Sequence, residues 1–273
     1  LRQHFDLNYK LVPLRPFIRC GDIGPLRAER TAGVDVLIVR ENVGGLYFGE
    51  WGRASVRGMD HAYQTFGYTR AQIERVVREA AARAAKRRKG LCAVVKTDGV
   101  PAVSRLWREV LERETRGMGL AMNVLEVDNA AYQLINNPRQ FDVIVAPNMF
   151  GDVLGDVGAL LLGARGMSFS GNFGPGGRAV YQTAHGAAHD IAGRDRSNPI
   201  GQILAVAMML RESLDLPAAA EAVESAVEEV LAGGVRTADI ATPGCRIVGT
   251  REMGACIAHA LRVASVEPVW ARA

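Results

Sequence analysis

The stretch DNAAYQLINNPRQFDVIVAPNMFGDVLGD, Asp128–Asp156, decides how the rest of the chain is read. Its centre, FDVIVAP (Phe141–Pro147), is a short apolar run with β-branched residues, the pattern of a strand buried in an α/β sheet. A loop over Asn148-Met149-Phe150-Gly151 is expected next, with a helix beginning near Asp152. On that helix Asp152 and Asp156, four apart, share one face, where like charges repel unless a cation sits between them. Asp128 opens an earlier helical segment, which follows another strand-like run, LAMNVLEV (Leu120–Val127). Carboxylates at strand-to-helix junctions suit a hard divalent cation held by oxygens. The same residues also read as helix caps at Asp128 and Asp152 with a solvated Asp156, so two readings stand at this point.

Working outward, VDVLIVRE (Val34–Glu41) and LCAVVKT (Leu91–Thr97) are further buried strands, and Gly44-Gly45 permits a turn after the first. Thr69 is placed to cap a long helix reaching about Lys89, and Pro101 to about Thr115 reads as another. Strands alternating with helices predict an α/β fold with a mainly parallel sheet covered on both faces. In such sheets the ligand site gathers at the carboxyl ends of the strands, where Arg40, Lys96, Asp128 and Asp152 all fall. That shared location favours a site over a set of caps.

The later chain is different. Ala159–Pro199 is rich in glycine and turn formers, and Asn198-Pro199 starts a helix through ILAVAMMLRESL. Two more helical patterns follow, at about Ala218–Leu231 and Thr250–Val263, and there is no internal repeat. Among 273 residues, 48% are hydrophobic and 23% charged, ordinary for a soluble globular protein with one large or two ordinary domains. A net charge of +4, from 33 basic and 29 acidic residues, gives no argument for a nucleic-acid partner. The densest basic run, RAAKRRK (Arg83–Lys89), reads as a solvated helix end with Gly90 as its C-cap. Cys20, Cys92, Cys245 and Cys256 show no CxxC pairing, as expected of reduced thiols in a cytoplasmic protein. No apolar run approaches a membrane span and no signal peptide opens the chain, so no membrane partner is expected. The chain begins on Leu1 and runs directly into LRQHFDL, which reads as a sequence whose beginning is missing.

NMFGDVLGD, HGAAHDIAGRDRSNP with AMML after it, RENVGGLYFG and the opening LRQHFDL together resemble the isocitrate/3-isopropylmalate dehydrogenase family. The motifs stand in the family's order from Leu1 to about Leu261, and RENVGGLYFG is closer to the isopropylmalate branch. The resemblance implies a two-domain fold. Residues 8–163 would form the dimerisation, metal and substrate domain, and 1–7 with 164–273 the remainder of the cofactor-binding domain. It implies NAD-dependent oxidative decarboxylation of a 2-hydroxy acid, a 3-substituted malate, with Mg²⁺ or Mn²⁺. Arg2 and Arg40 would bind substrate carboxylates, Lys96 and Tyr47 would move protons, and Asp128, Asp152 and Asp156 would hold the metal. The expected assembly is a homodimer with shared sites, Lys96 and Asp128 reaching the partner's site. His185, Gly186 and Asn198 match positions around the adenosine, and Asp190-Ile191 the site that discriminates between cofactors. An aspartate there accepts hydrogen bonds from a ribose 2′-hydroxyl and repels a 2′-phosphate, which favours NAD over NADP.

Departures mark this chain out. The family's second substrate arginine, in an LRP motif, falls on Val12; only a three-residue shift brings in Arg15 of Leu14-Arg15-Pro16. Asp98 stands where an Asn is usual, Gln182 where a Glu is usual, and His189 where a Pro is usual. Other substrates of the same kind (isocitrate, homoisocitrate, tartrate) stay as alternatives, as does a non-catalytic homologue or regulatory subunit.

Overall fold

The computed structural model describes residues 1–17 and 23–266, so Cys20 lies outside the described residues. In chain order the elements are β1 (Tyr9–Leu14), α1 (Ala28–Thr31), β2 (Val36–Glu41), β3 (Trp51–Val56), β4 (Met59–Gln64), α2 (Arg70–Ala85) and β5 (Gly90–Val95). They continue with α3 (Pro101–Thr115), β6 (Ala121–Glu126), α4 (Val127–Asn136), β7 (Val143–Ala146) and α5 (Asn148–Gly158). The last are β8 (Phe169–Phe173), β9 (Ala179–Thr183), α6 (Ile200–Glu212), α7 (Pro217–Ala232), β10 (Val235–Arg236), β11 (Arg246–Ile247) and α8 (Thr250–Val266). The main sheet has seven strands in the order β6-β5-β7-β2-β1-β8-β9, confirming the α/β class.

The sheet's heart is parallel. Leu37 pairs with Val143, Leu91 with Val143 on the other side, and Gly90 with Ala121. Every residue of β2 and β7 is buried, as are all but the first of β5, which is why these runs are apolar without alternation. At the edge, β6 begins with three exposed residues and tolerates Asn123. Helix α2 buries Ile73, Val76, Val77, Ala80, Ala81 and Ala84, a stripe of helical period whose alanines permit close packing. Its N-terminus is fixed by a capping box, the Gln72 backbone N–H donating to Thr69 Oγ1 and the Thr69 N–H donating to Gln72 Oε1 at 2.8 Å.

Two local expectations are corrected. Helix α5 begins at Asn148, a full turn before Asp152, because the Gly151 N–H already reaches the Pro147 carbonyl at 2.8 Å. Helix α2 stops at Ala85 rather than near Lys89, and Lys89, not Gly90, takes the left-handed conformation at φ 64°. Gly90 instead starts β5, where an added Cβ would sit 3.1 Å from Asp142 Cβ. Strands β1, β3, β4, β8 and β9 were not foreseen. The antiparallel β3–β4 pair is exposed almost throughout, and a strand with no buried face has no apolar alternation to read.

By internal contacts the chain divides into two units. The first comprises Leu1–Leu11, Val36–Val157 and Asn172–Arg178, and the second Val12–Asp35, Gly158–Gly171 and Ala179–Ala273. In the second, α6 packs on α7 and α7 on α8. Gly201 of α6 lies so close to the Ser168 and Gly166 carbonyls, 2.7 and 2.8 Å from a built Cβ, that no larger residue fits. Among the described residues no helix is long and apolar enough to cross a membrane.

Thr69→Ala is expected to lower unfolding free energy by about 1 kcal/mol, with Thr69→Ser nearly neutral. Urea unfolding checks it, and an unchanged midpoint for Thr69→Ala would show that the capping box contributes nothing.

Candidate active site

Parallel pairing of β2, β7, β5 and β6 carries their carboxyl ends to one edge of the first unit. Arg40 closes β2, Lys96 follows β5, Asp128 is the second residue of α4 after β6, and Asn148 opens α5 after β7.

Arg40 is the centre of this edge. It is only 1% exposed, and a buried guanidinium is tolerable only when its donors are used. Its Nε and Nη2 donate to Asn148 Oδ1 at 3.0 and 2.7 Å, and its Nη1 donates to Asp152 Oδ1. Asn148 is held in turn. Its side-chain amide donates to the Gly44 carbonyl at 3.0 Å, and its backbone N–H donates to the Tyr68 hydroxyl at 2.8 Å. Tyr68 also hydrogen-bonds Glu41, whose carboxylate accepts the Val43 and Gly44 backbone N–H groups at 2.9 and 3.0 Å. Burial pushes the Glu41 carboxyl and the Tyr68 phenol upward. Gly151 lets α5 approach, since a Cβ there would sit 2.8 Å from Arg40 Cβ.

Asp152 bridges Arg40 to a proton-bearing group. Its second oxygen accepts from the Tyr47 hydroxyl at 2.8 Å, and the Arg40 guanidinium stands 5.8 Å from the Tyr47 ring centre. Partial burial first, and then the Asp152 carboxylate, raise the Tyr47 pKa, so the phenol keeps its proton. Asp156 lies one turn further along α5. The charges of Asp152, Asp156, Arg40 and Arg2 all act on one further residue, Lys10 of β1. Lys10 is 4% exposed, and its pKa is pushed down to about 8, by burial first and then by the two guanidinium groups.

Lys96 and Asp128 form their own pair, Nζ to Oδ2 at 3.3 Å, with the Asp128 side chain 69% exposed. The Lys96 hydrogen bond holds the Asp128 carboxyl below its usual range. Glu126 ties down the loop after Lys96, accepting the Thr97 N–H at 2.7 Å and its hydroxyl at 2.6 Å. The three aspartates are therefore not one cluster: among the described residues no group of three or more His, Cys, Asp or Glu side chains is placed to hold a metal.

The adenosine-loop candidates lie in the second unit. His185 and Gly186 follow β9, and Asp190-Ile191 sit in a single 3-10 turn, His189–Ile191. Gly186 and Asp190 are exposed, and nothing lies within 4 Å of a Cβ built on Gly186. Asn198 is buried, its Oδ1 accepting the Ile200 N–H at 2.9 Å and its amide donating to Asp239 at 3.2 Å, so it braces the start of α6. Asp195 anchors the same loop to α8, its Oδ1 accepting the Arg251 N–H at 2.9 Å. Arg15 is exposed just beyond the end of β1.

Sequence reasoning missed Lys10, Asn148, Tyr68 and Glu41. The signal for Lys10 was a lone lysine inside YKLVPL, an otherwise apolar run. Asn148 was obscured by reading the first turn of α5 as a loop.

The family described as isocitrate/isopropylmalate dehydrogenase matches residues 1–257. The chain belongs to this family. It is 44% identical, over 98% of its length and 71% of the relative's, to a 3-isopropylmalate dehydrogenase of Synechococcus sp. (strain JA-3-3Ab). It is 46% identical to that of Gloeobacter violaceus, over 93% and 71% of the two chains. Among solved structures it is similar to isocitrate dehydrogenase from Methylococcus capsulatus, with a TM-score of 0.85 and 32% identity over 96% and 75% of the chains. As a family member it places its RENVGG and NMFGD motifs, through Arg40, Asn148 and Asp152, in direct contact.

For Lys10 the folded pKa lies below the unfolded value of 10.5, so the unfolded chain binds more protons between about pH 8 and 10.5. Its contribution to stability therefore rises with pH through that window. Lys10→Met is expected to raise the urea midpoint at pH 7, and the gain to shrink towards pH 10.5. A gain that is independent of pH would contradict the burial argument.

Proposed function

We propose that the chain, paired with a second copy, oxidises a 3-substituted malate at its 2-hydroxyl with NAD as acceptor and releases carbon dioxide, 3-isopropylmalate being the favoured substrate. The observation that carries this reading is the buried Arg40 guanidinium, fixed by Asn148 and Asp152 beside Tyr47. A dicarboxylate needs cations held in place, and Arg40 with Arg2 can offer planar donors that pair carboxylates bidentately. Asp152 and Asp156, four apart on α5, are hard oxygen donors suited to Mg²⁺ or Mn²⁺, with Asp128 of the partner subunit as the third. The bound ion would polarise the hydroxyl and then the keto oxygen, and NAD would accept the hydride. Lys96 of the partner subunit would take the hydroxyl proton. Tyr47, which keeps its proton beside Asp152, returns one to the carbon that has lost carbon dioxide.

The NAD preference rests on Asp190. Its exposed carboxylate has no partner among the described residues, so it is available to accept from a ribose 2′-hydroxyl and to repel a 2′-phosphate. The resemblance to an isocitrate dehydrogenase structure supports isocitrate as the second reading.

The test is NADH formation with Mg²⁺ across 3-isopropylmalate, isocitrate, homoisocitrate and tartrate. 3-Isopropylmalate is expected to give the highest kcat/KM, with NAD preferred over NADP. Asp156→Asn should lower turnover by about two orders of magnitude or more without unfolding the chain. Failure of every substrate to reduce NAD would overturn the reading, and a preference for NADP would overturn the role of Asp190.

A further inference from the structure

Lys10 stands apart among the charged groups of the first unit. Lys10 is only 4% exposed, no acceptor among the described residues hydrogen-bonds or ion-pairs with its ammonium, and Nζ is not a fully buried atom, so the little surface the residue keeps includes its charged end. Arg40, by contrast, spends three of its donor atoms on Asn148 and Asp152. A buried lysine stem that brings its ammonium to the surface leaves three donors free for water or for a ligand. Strand β1, which carries Lys10, lies beside β2, which carries Arg40, and the charges of Arg40, Arg2, Asp152 and Asp156 all reach Lys10. Those are the groups already assigned to the substrate and the metal.

Arg2, Lys10 and Arg40 bring three cations within electrostatic reach of the Asp152 and Asp156 carboxylates. A divalent ion held by those carboxylates would add positive charge, which an anionic ligand offsets, a dianion more than a monoanion. The strand supplies no other candidate. Side chains alternate along β1, so Lys10 and Val12 share a face, but Val12 is apolar. Arg15 has the opposite parity and is exposed beyond the strand's end.

We propose that Lys10 is a substrate-binding residue of this chain, its ammonium pairing with a carboxylate of the dianionic substrate next to Arg40. It takes the place of the guanidinium that Val12 cannot supply. A lysine presents a point charge rather than a fork, so it holds a carboxylate with less angular selectivity than an arginine. This inference rests on the proposed function for the identity of the substrate.

The experiment is calorimetric binding of 3-isopropylmalate with Mg²⁺ and no NAD, beside NADH-formation kinetics, for the wild type, Lys10→Met, Lys10→Gln and Lys10→Arg. Lys10→Met and Lys10→Gln are expected to weaken substrate binding and raise substrate KM by about ten-fold or more, leaving the KM for NAD unchanged. Lys10→Arg should restore most of the affinity. Urea midpoints at pH 7, not lower than the wild type's for Lys10→Met, show that the loss is not unfolding. A wild type that turns over 3-isopropylmalate while Lys10→Met and Lys10→Gln bind it equally well overturns the assignment to Lys10 and leaves the function standing. A wild type that binds no 3-substituted malate overturns both.

Discussion

A guanidinium buried at the end of a central strand sets the terms for the first unit. Arg40 is apolar-strand residue and ion at once, carried by β2 into a position that water barely reaches. Leaving such a charge unmatched would cost several kcal/mol, so the surrounding chain is arranged to match it. Asn148 must open α5 where its carboxamide meets Nε and Nη2, Gly151 must lack a side chain, and Asp152, half-exposed one turn later, must come within reach of Nη1. Behind Asn148, Tyr68 and Glu41 fix the helix start through a backbone N–H and two further turn amides. The same arrangement that makes the buried charge tolerable also presents Tyr47 and the Asp152 carboxylate at the sheet's edge.

Much of the sheet was legible because burial on both faces leaves a plain trace. VDVLIVRE, LCAVVKT and FDVIVAP are continuous apolar runs, and each became a central parallel strand within two residues of its expected ends. Thr69 was readable as a cap because its partner, Gln72, stands three residues on. The β3–β4 pair left no trace, since its residues face solvent on both sides. The start of α5 was misplaced by one turn, Asn148 to Gly151 being read as a loop. The glycine is there for the approach to Arg40, a reason that becomes visible only when the two elements are side by side.

The site was legible in part. The positions of Arg40, Tyr47, Asp152 and Asp156 follow from motif spacing, and the structure joins the first three by direct hydrogen bonds. Lys96 and Asp128 meet each other rather than the α5 carboxylates, so what one chain holds is two groups of residues with complementary chemistry. One carries Arg40, Tyr47 and Asp152, and the other a lysine and a largely exposed aspartate. Lys10 was passed over because sequence alone does not distinguish a solvated lysine on an edge from a buried one in a seven-stranded sheet.

With its lysine and its α5 carboxylates in separate groups, the chain is expected to assemble a working site only from two copies. Co-expressing Lys96→Met with Asp156→Asn, each inactive alone, measures this by NADH formation from 3-isopropylmalate. If Lys96 serves the partner's site, mixed dimers contain one intact site and activity returns to roughly a quarter of the wild type's by random pairing. If each chain builds its own site, every site in every dimer carries a defect. Activity would then stay at the level of the single variants, contradicting the account.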